Sequence, residues 1–119
     1  MVRENVAYKT KGHCYALEGA GETGNVFERN FGAQTLKPNA EATGATDLKP
    51  ATFYATHPTN SWRYNSAAGS QSYGFFFEFY KNYKDENDKE INPMLELLTE
   101  FSGNVMHSNW EIGLKTYPR

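Results

Sequence analysis

A short motif recurs along this chain, and recurrence at intervals of tens of residues constrains a fold more tightly than local propensity does. A repeat that cannot bury its apolar face alone must stack on its neighbours. An aromatic residue stands three positions before an asparagine in Phe27-Glu-Arg-Asn30, Trp62-Arg-Tyr-Asn65 and Phe101-Ser-Gly-Asn104, and Asn5-Val-Ala-Tyr8 reads as a fourth copy lacking its start. A glycine and a β-rich run follow in Gly12-His-Cys-Tyr-Ala-Leu-Glu18, Gly74-Phe-Phe-Phe-Glu-Phe79 and Gly113-Leu-Lys-Thr-Tyr117, at Asn-to-Gly intervals of seven, nine and nine residues. The second copy has no such glycine but reaches Ala51-Thr-Phe-Tyr-Ala-Thr56, a run of the same character. The asparagines lie 25, 35 and 39 residues apart, which fits a coil of roughly 20 to 30 residues carrying insertions of different length.

Two insertions stand out, at about residues 34–50 and 81–98. The first is rich in Gly, Pro, Asn, Thr and Ala, and the second begins with the mixed-charge run Lys81-Asn-Tyr-Lys-Asp-Glu-Asn-Asp-Lys-Glu-Ile-Asn-Pro93, a composition suited to solvated excursions. Proline at a helix's first turn followed by Met94-Leu95-Glu96-Leu97-Leu98 predicts a short helix within Pro93 to Phe101. In a stacked coil an inward asparagine hydrogen-bonds to its copies above and below, and Asn tolerates the left-handed conformation of a sharp corner. Asn5, Asn30, Asn65 and Asn104 are therefore expected as structural corner residues, with Gly12, Gly74 and Gly113 opening the corners before strands. The expected fold is all-β, a right-handed parallel β-helix of about four incomplete coils forming one partial domain over residues 1–119. The competing reading is a small antiparallel domain in which the asparagines are ordinary turn residues.

Composition supports sheet and excludes several functions. Eight Phe and eight Tyr favour strands over helices. Twelve basic and fourteen acidic residues, for a formal net charge of −2, give no electrostatic footprint for nucleic acid or an anionic membrane. A single cysteine, Cys14, rules out an internal disulfide or a multi-cysteine zinc site. The first residues lack the apolar run of a signal peptide, and no stretch has the roughly 18 apolar residues of a membrane span. With Met1 as the true start the chain would stay in the cytosol; the repeat suggests that it is a piece of something longer.

Seven blocks, in order, resemble the β-helix region of the fibrocystin and fibrocystin-L family, to which the cell-migration-inducing and cell-surface hyaluronidases are similar. They are Asn5 to Glu18, Gly21-Glu-Thr-Gly-Asn-Val-Phe27, Asp47-Leu-Lys-Pro-Ala-Thr-Phe-Tyr54, His57-Pro-Thr-Asn60, Asn65-Ser-Ala-Ala-Gly-Ser70, Gly74-Phe-Phe-Phe77 and Gly103-Asn-Val-Met-His-Ser108. The resemblance implies a large extracellular or membrane-anchored parent exposed at the cell surface, with a domain known as G8 upstream of the β-helix.

Chemistry is harder to read. His13, His57 and His107 are the only histidines; their spacing forms no metal motif, and neither metal nor cofactor is expected. Glycoside hydrolysis needs two carboxylates about 5 to 10 Å apart; Glu18, Glu22, Glu28 and Glu78 are available, with Glu18 and Glu78 the candidate pair, and with Gly12 and Gly74 aligned, Glu78 falls on the column of Ala16. Arg63, Tyr54 and Trp110 are candidates for binding a sugar by ring stacking and hydrogen bonding. Trp62 fits the interior better, because it shares its repeat position with Phe27 and Phe101. Cys14 is a poor nucleophile: neighbouring His13 would point to the opposite strand face. The turn at Gly19-Ala-Gly-Glu-Thr-Gly24 lacks the ending of a phosphate loop.

Three functions follow from these observations. The first is a structural or recognition segment of a cell-surface ectodomain, partnered by the rest of a longer β-helix and by glycans or extracellular proteins. The second is part of a hyaluronan- or other polysaccharide-cleaving enzyme. The third is a truncated copy without independent function. In the enzyme, Glu18, Glu78, Arg63 or a histidine should converge in one cleft; in the architectural segment they should be scattered.

Overall fold

The computed structural model describes residues 1–39 and 48–118. Short strands follow one another in a fixed cycle. The first pass gives β1 (Val2–Arg3), β2 (Val6–Tyr8) and β3 (Tyr15–Leu17), and the second gives β4 (Val26–Glu28), β5 (Phe31–Ala33) and β6 (Ala51–Ala55). The third gives β7 (Ser61–Arg63), β8 (Ser66–Ala68) and β9 (Tyr73–Phe79), followed by the hairpin strands β10 (Tyr83–Lys84) and β11 (Glu90–Ile91). The last gives β12 (Glu100–Ser102), β13 (Val105–His107) and β14 (Ile112–Pro118). Each pass adds one strand to each of three parallel sheets, ordered β1-β4-β7-β12, β2-β5-β8-β13 and β3-β6-β9-β14. The chain is a parallel β-helix, and the antiparallel reading is excluded: among the described residues only β10 and β11 pair antiparallel.

The corners are built by residues the sequence did not single out. Between the first and second sheets the left-handed position is the residue before each asparagine: Glu4, Arg29, Tyr64 and Gly103, with φ of 56°, 53°, 54° and 63°. The asparagine after it is the inward residue. The expectation that Asn itself takes the left-handed conformation is corrected, because the ladder needs its side chain directed into the stack. A second left-handed column, Lys9, Gln34, Gly69 and Ser108, closes the second sheet. Gly12 does take a positive φ of 85°, but Gly74 and Gly113 lie inside β9 and β14.

Gly74 marks a bend in the third sheet. A Cβ there would lie 2.6 Å from the Gly113 carbonyl oxygen and 2.9 Å from Asn109 Nδ2, so only glycine fits this close approach. At the same level Thr52 Oγ1 meets Thr35 Oγ1 at 2.8 Å, and Cys14 Sγ meets that same oxygen at 3.2 Å. The next residues, Phe53 and Phe75, also enter the core. Two consecutive inward residues turn the following pair outward, so Tyr54 and Phe76 pack with Ala51 and Tyr73 in a separate cluster.

The main core is columnar. Phe27 stacks on Trp62 with centroids 4.4 Å apart, Tyr15 on Phe53 at 4.8 Å and Phe53 on Phe75 at 4.5 Å. Ala55, Ala67 and Phe77 complete it. Parallel in-register strands force equivalent side chains to lie one rung apart, about 4.8 Å, and flat rings fill that spacing.

The first expected insertion begins later than residue 34. Gln34 is a corner, and Leu36 bridges to Lys11 in the stack; residues 40–47 of that insertion lie outside the described residues. The second is the β10–β11 hairpin followed by a single 3-10 turn, Pro93–Leu95. The helix expected to reach Phe101 stops there. Leu95 and Leu97 have no apolar face to cover and stay 80% and 86% exposed, while Glu100–Ser102 pairs with β7.

Candidate functional site

The asparagines form a continuous ladder with one polarity. Asn5 donates its backbone N–H and its side-chain amide to Asn30 Oδ1 at 3.1 and 3.0 Å; Asn30 does the same to Asn65, and Asn65 to Asn104, at 3.0 to 3.1 Å. Each of the next three side chains also donates to a carbonyl of the first sheet: Asn30 to Val2, Asn65 to Phe27 and Asn104 to Trp62. A shorter ladder joins Asn25 to Asn60 through the same pair of bonds, 2.9 and 3.1 Å. Sequence reading missed it, although a signal exists: Asn25-Val-Phe27 and Asn60-Ser-Trp62 place an asparagine two residues before the repeated aromatic.

Arg63 sits in a charge ladder on the outer face of the first sheet. Register places Arg3 beside Glu28 and Glu28 beside Arg63. Glu28 is shared by Arg3, Arg29 and Arg63 at 3.2, 2.7 and 3.1 Å, and Arg63 also reaches Glu100 at 3.5 Å. The cation proposed to hold a ligand is thus engaged by two carboxylates, one of which it shares with two other guanidinium groups. Next to it Tyr64 is exposed, with the Arg29 guanidinium 5.7 Å from its ring centroid.

Of the other candidates, Tyr54 and Glu78 meet and Glu18 lies near them, while Trp110 stands apart. Tyr54 is 1% exposed, which removes it as a solvent-facing stacking platform; its hydroxyl donates to Glu78 at 2.8 Å, and His13 stacks on its ring at 4.3 Å. The alignment of Gly12 with Gly74 is two residues out, since Ala16 pairs with Tyr54 and Tyr54 with Phe76. Continuing that register brings Glu18 and Glu78 to the same end of the third sheet, separated by the rung of Thr56 and about 10 Å between backbones. Glu18 is exposed. Trp110 is exposed on the turn between β13 and β14. His13, His57 and His107 lie on different parts of the stack, and no cluster of three metal-binding side chains is present among the described residues.

Displaced acidities among the described residues include those of Tyr15, His57 and Glu111. Burial pushes the Tyr15 phenol up to about 12, with Cys14 adding to the effect, and its hydroxyl donates to the Phe31 carbonyl at 3.1 Å. Burial lowers His57 below its ordinary value, and the Glu96 carboxylate opposes this in part. Glu111 is lowered chiefly by the Ser72 hydroxyl, which donates to it at 2.7 Å.

A cleft of about 530 Å³, not legible in the sequence, opens where the β10–β11 hairpin faces the turn after β3. Its walls include Glu22, Thr23, His57, Tyr83, Asp85, Glu86 and Asn87. These residues come from three stretches of chain that only the stacking brings together, so no local spacing announces them. Of the groups weighed in the sequence, Glu22 and His57 line it, whereas Glu18, Glu78, Arg63, Tyr54 and Trp110 do not.

A family model described as CEMIP beta-helix matches residues 1–114. Fibrocystin-L from Homo sapiens is 29% identical over 116 residues, covering 96% of this chain and 3% of its own length. A cell surface hyaluronidase from Danio rerio is 30% identical over 139 residues, covering 96% of this chain and 10% of its own length. Communication mutant protein F from Dictyostelium discoideum is 31% identical over 121 residues, covering 88% of this chain and 11% of its own length. The chain thus spans a small fraction of each of these relatives. No solved structure matches it.

Proposed function

The chain belongs to the CEMIP beta-helix family, and from that premise we propose that it is a structural and recognition segment of a larger cell-surface or extracellular protein. In this reading it stacks further coils on both ends and offers its outer faces to glycans or extracellular proteins. The observation that carries it is the open polarity of the asparagine ladder. Asn5 donates into the stack and no asparagine of the ladder donates to it, while the backbone N–H of Asn104 has no next rung to donate to among the described residues. Inward apolar side chains of the end strands are only partly covered, including Val2 and Leu17 on the first pass and Phe101, Met106 and Leu114 on the last. Uncapped parallel edges of this kind call for further strands. Arg63 on the first sheet lies apart from Glu18 and Glu78, which share one end of the third, and this separation supports architecture over catalysis. We further propose that the winding is right-handed, as crossover connections between parallel strands nearly always are, and that the four passes are incomplete coils of a longer solenoid.

A second reading, part of a polysaccharide-cleaving enzyme, draws on the relatives named as cell surface hyaluronidases. Far-ultraviolet circular dichroism with sedimentation, on this chain and on one extended at both ends, separates the possibilities. The expected result is an aggregating or weakly folded short chain that extension converts to a soluble β-rich one. A stable monomer from the short chain alone would overturn the architectural reading. Release of reducing ends from a polysaccharide by the extended chain, abolished by Glu78→Gln, would establish the enzymatic one.

A further inference from the structure

We propose that the cleft between the β10–β11 hairpin and the turn after β3 binds a neutral saccharide unit. The inference rests on the recognition reading and deepens it by assigning a place and a ligand class. His57 is buried to 6% exposure yet lines the cleft. Its Nδ1 accepts the Thr59 backbone N–H at 3.1 Å, which fixes the hydrogen of the neutral ring on Nε2 and leaves that N–H to meet a ligand. Around it stand acceptors with unused capacity. Glu22 Oε2 accepts the Gly19 N–H and Asp85 Oδ1 accepts the amides of Asn87 and Lys89, so the second oxygen of each carboxylate stays available. Glu86 adds another carboxylate, and Tyr83 and Asn87 add a ring, a hydroxyl and an amide.

The mixture of donor and acceptors selects the ligand. Among the described residues no lysine or arginine lines the cleft, so a uronate or sulfated sugar would meet three carboxylates with no counter-charge there. An ammonium or guanidinium brings donors only and leaves the His57 Nε2–H unanswered. The carboxylates do not gather into a cluster able to hold a metal ion among the described residues. A neutral sugar offers both halves of the match: hydroxyl hydrogens for Glu22, Asp85 and Glu86, a hydroxyl oxygen for His57, and a C–H face for the Tyr83 ring.

The test is a two-dimensional amide NMR titration of the 15N-labelled chain with methyl β-glucopyranoside, methyl N-acetyl-β-glucosaminide, glucuronate, arginine amide and calcium in turn. Shifts at Gly21, Thr23 and Asn87 with a neutral glycoside are expected. Glucuronate should bind at least fivefold more weakly, and Glu86→Gln, on the exposed hairpin, should weaken the glycoside about fivefold through loss of a charged acceptor. The inference is overturned by a silent cleft, by glucuronate, arginine amide or calcium binding as tightly as the glycosides, or by an unchanged titration in Glu86→Gln. Dispersed asparagine-ladder amides with a silent cleft sink this inference alone and leave the architectural reading standing. If the short chain is not dispersed, the same outcomes are read on the extended one.

Discussion

At the scale of single residues, asparagine has a side chain matched to the rung spacing. Its carboxamide oxygen accepts from the rung on one side while its nitrogen donates to the rung on the other and to a carbonyl of the first sheet. Aspartate has the oxygens without the donor, and glutamine is one methylene too long. Asn65, fully buried at the centre of the ladder, makes bonds in both directions. Asn65→Ala should lower stability by about 3 kcal/mol, and Asn65→Asp by as much or more at neutral pH, in urea unfolding of a folded extended chain. Trp62 presents a different balance: its ring is stacked and fully buried, but its indole N–H has no hydrogen-bond partner. Trp62→Phe should therefore cost about 1 kcal/mol, whereas Trp62→Ala should cost about 4; equal losses would mean that the indole nitrogen, not the ring, carries the contribution.

Elements add constraints that no residue carries alone. In the first sheet, Glu28 is held by three guanidinium groups from three positions, so Glu28→Gln leaves them facing one another on the same surface. A loss of about 1 kcal/mol is expected, shrinking as salt is raised. The turn after β6 contains His57, whose folded pKa lies below the ordinary 6.5 because burial disfavours the charged ring. The sign follows directly: the unfolded chain takes the proton first, so stability is complete above pH 6.5 and is lost as pH falls from there through the folded value. The denaturant midpoint should fall between pH 7 and 5, and His57→Gln should flatten that slope. Tyr15 in β3 acts at the other extreme. Its phenol, raised from 10.0 to about 12, stays neutral in the fold after the unfolded chain ionises, so stability is complete below pH 10 and is lost as pH rises towards 12. Tyr15→Phe should remove that alkaline loss.

For the molecule as a whole, the relevant comparison is between its interior and its ends. The middle two passes bury rings and amides on both sides, while the outer two each lack one neighbour. The same residue type therefore fares differently by position: Phe53 and Phe75 are completely buried, whereas Leu114, next in that column, is 40% exposed. A solenoid's stability is close to a sum of interfaces between rungs, so each added rung should raise it until both ends are capped. Thermal unfolding of chains extended by one and then two coils should show successive increases of the midpoint; a midpoint independent of length would mean that four passes already form a closed unit.

The repeat was visible in the amino-acid order because stacking is periodic: each inward asparagine and ring must recur once per pass, so Phe27, Trp62 and Phe101 and their asparagines announced parallel strands in register. What recurs is what the sequence itself determined. Features made once, or made between passes, were left to tertiary structure. The bend at Gly74 depends on the approach of Gly113 and Asn109 and reverses which face Tyr54 occupies, burying a ring that alternation alone leaves ambiguous. The left-handed corner fell on Glu4, Arg29 and Tyr64, residues with no intrinsic preference for it, because the ladder reserves the next position for asparagine. The cleft joins Glu22, His57 and Asp85 from separate passes whose meeting is set by the length of the intervening coils, a distance in space that no spacing along the chain encodes.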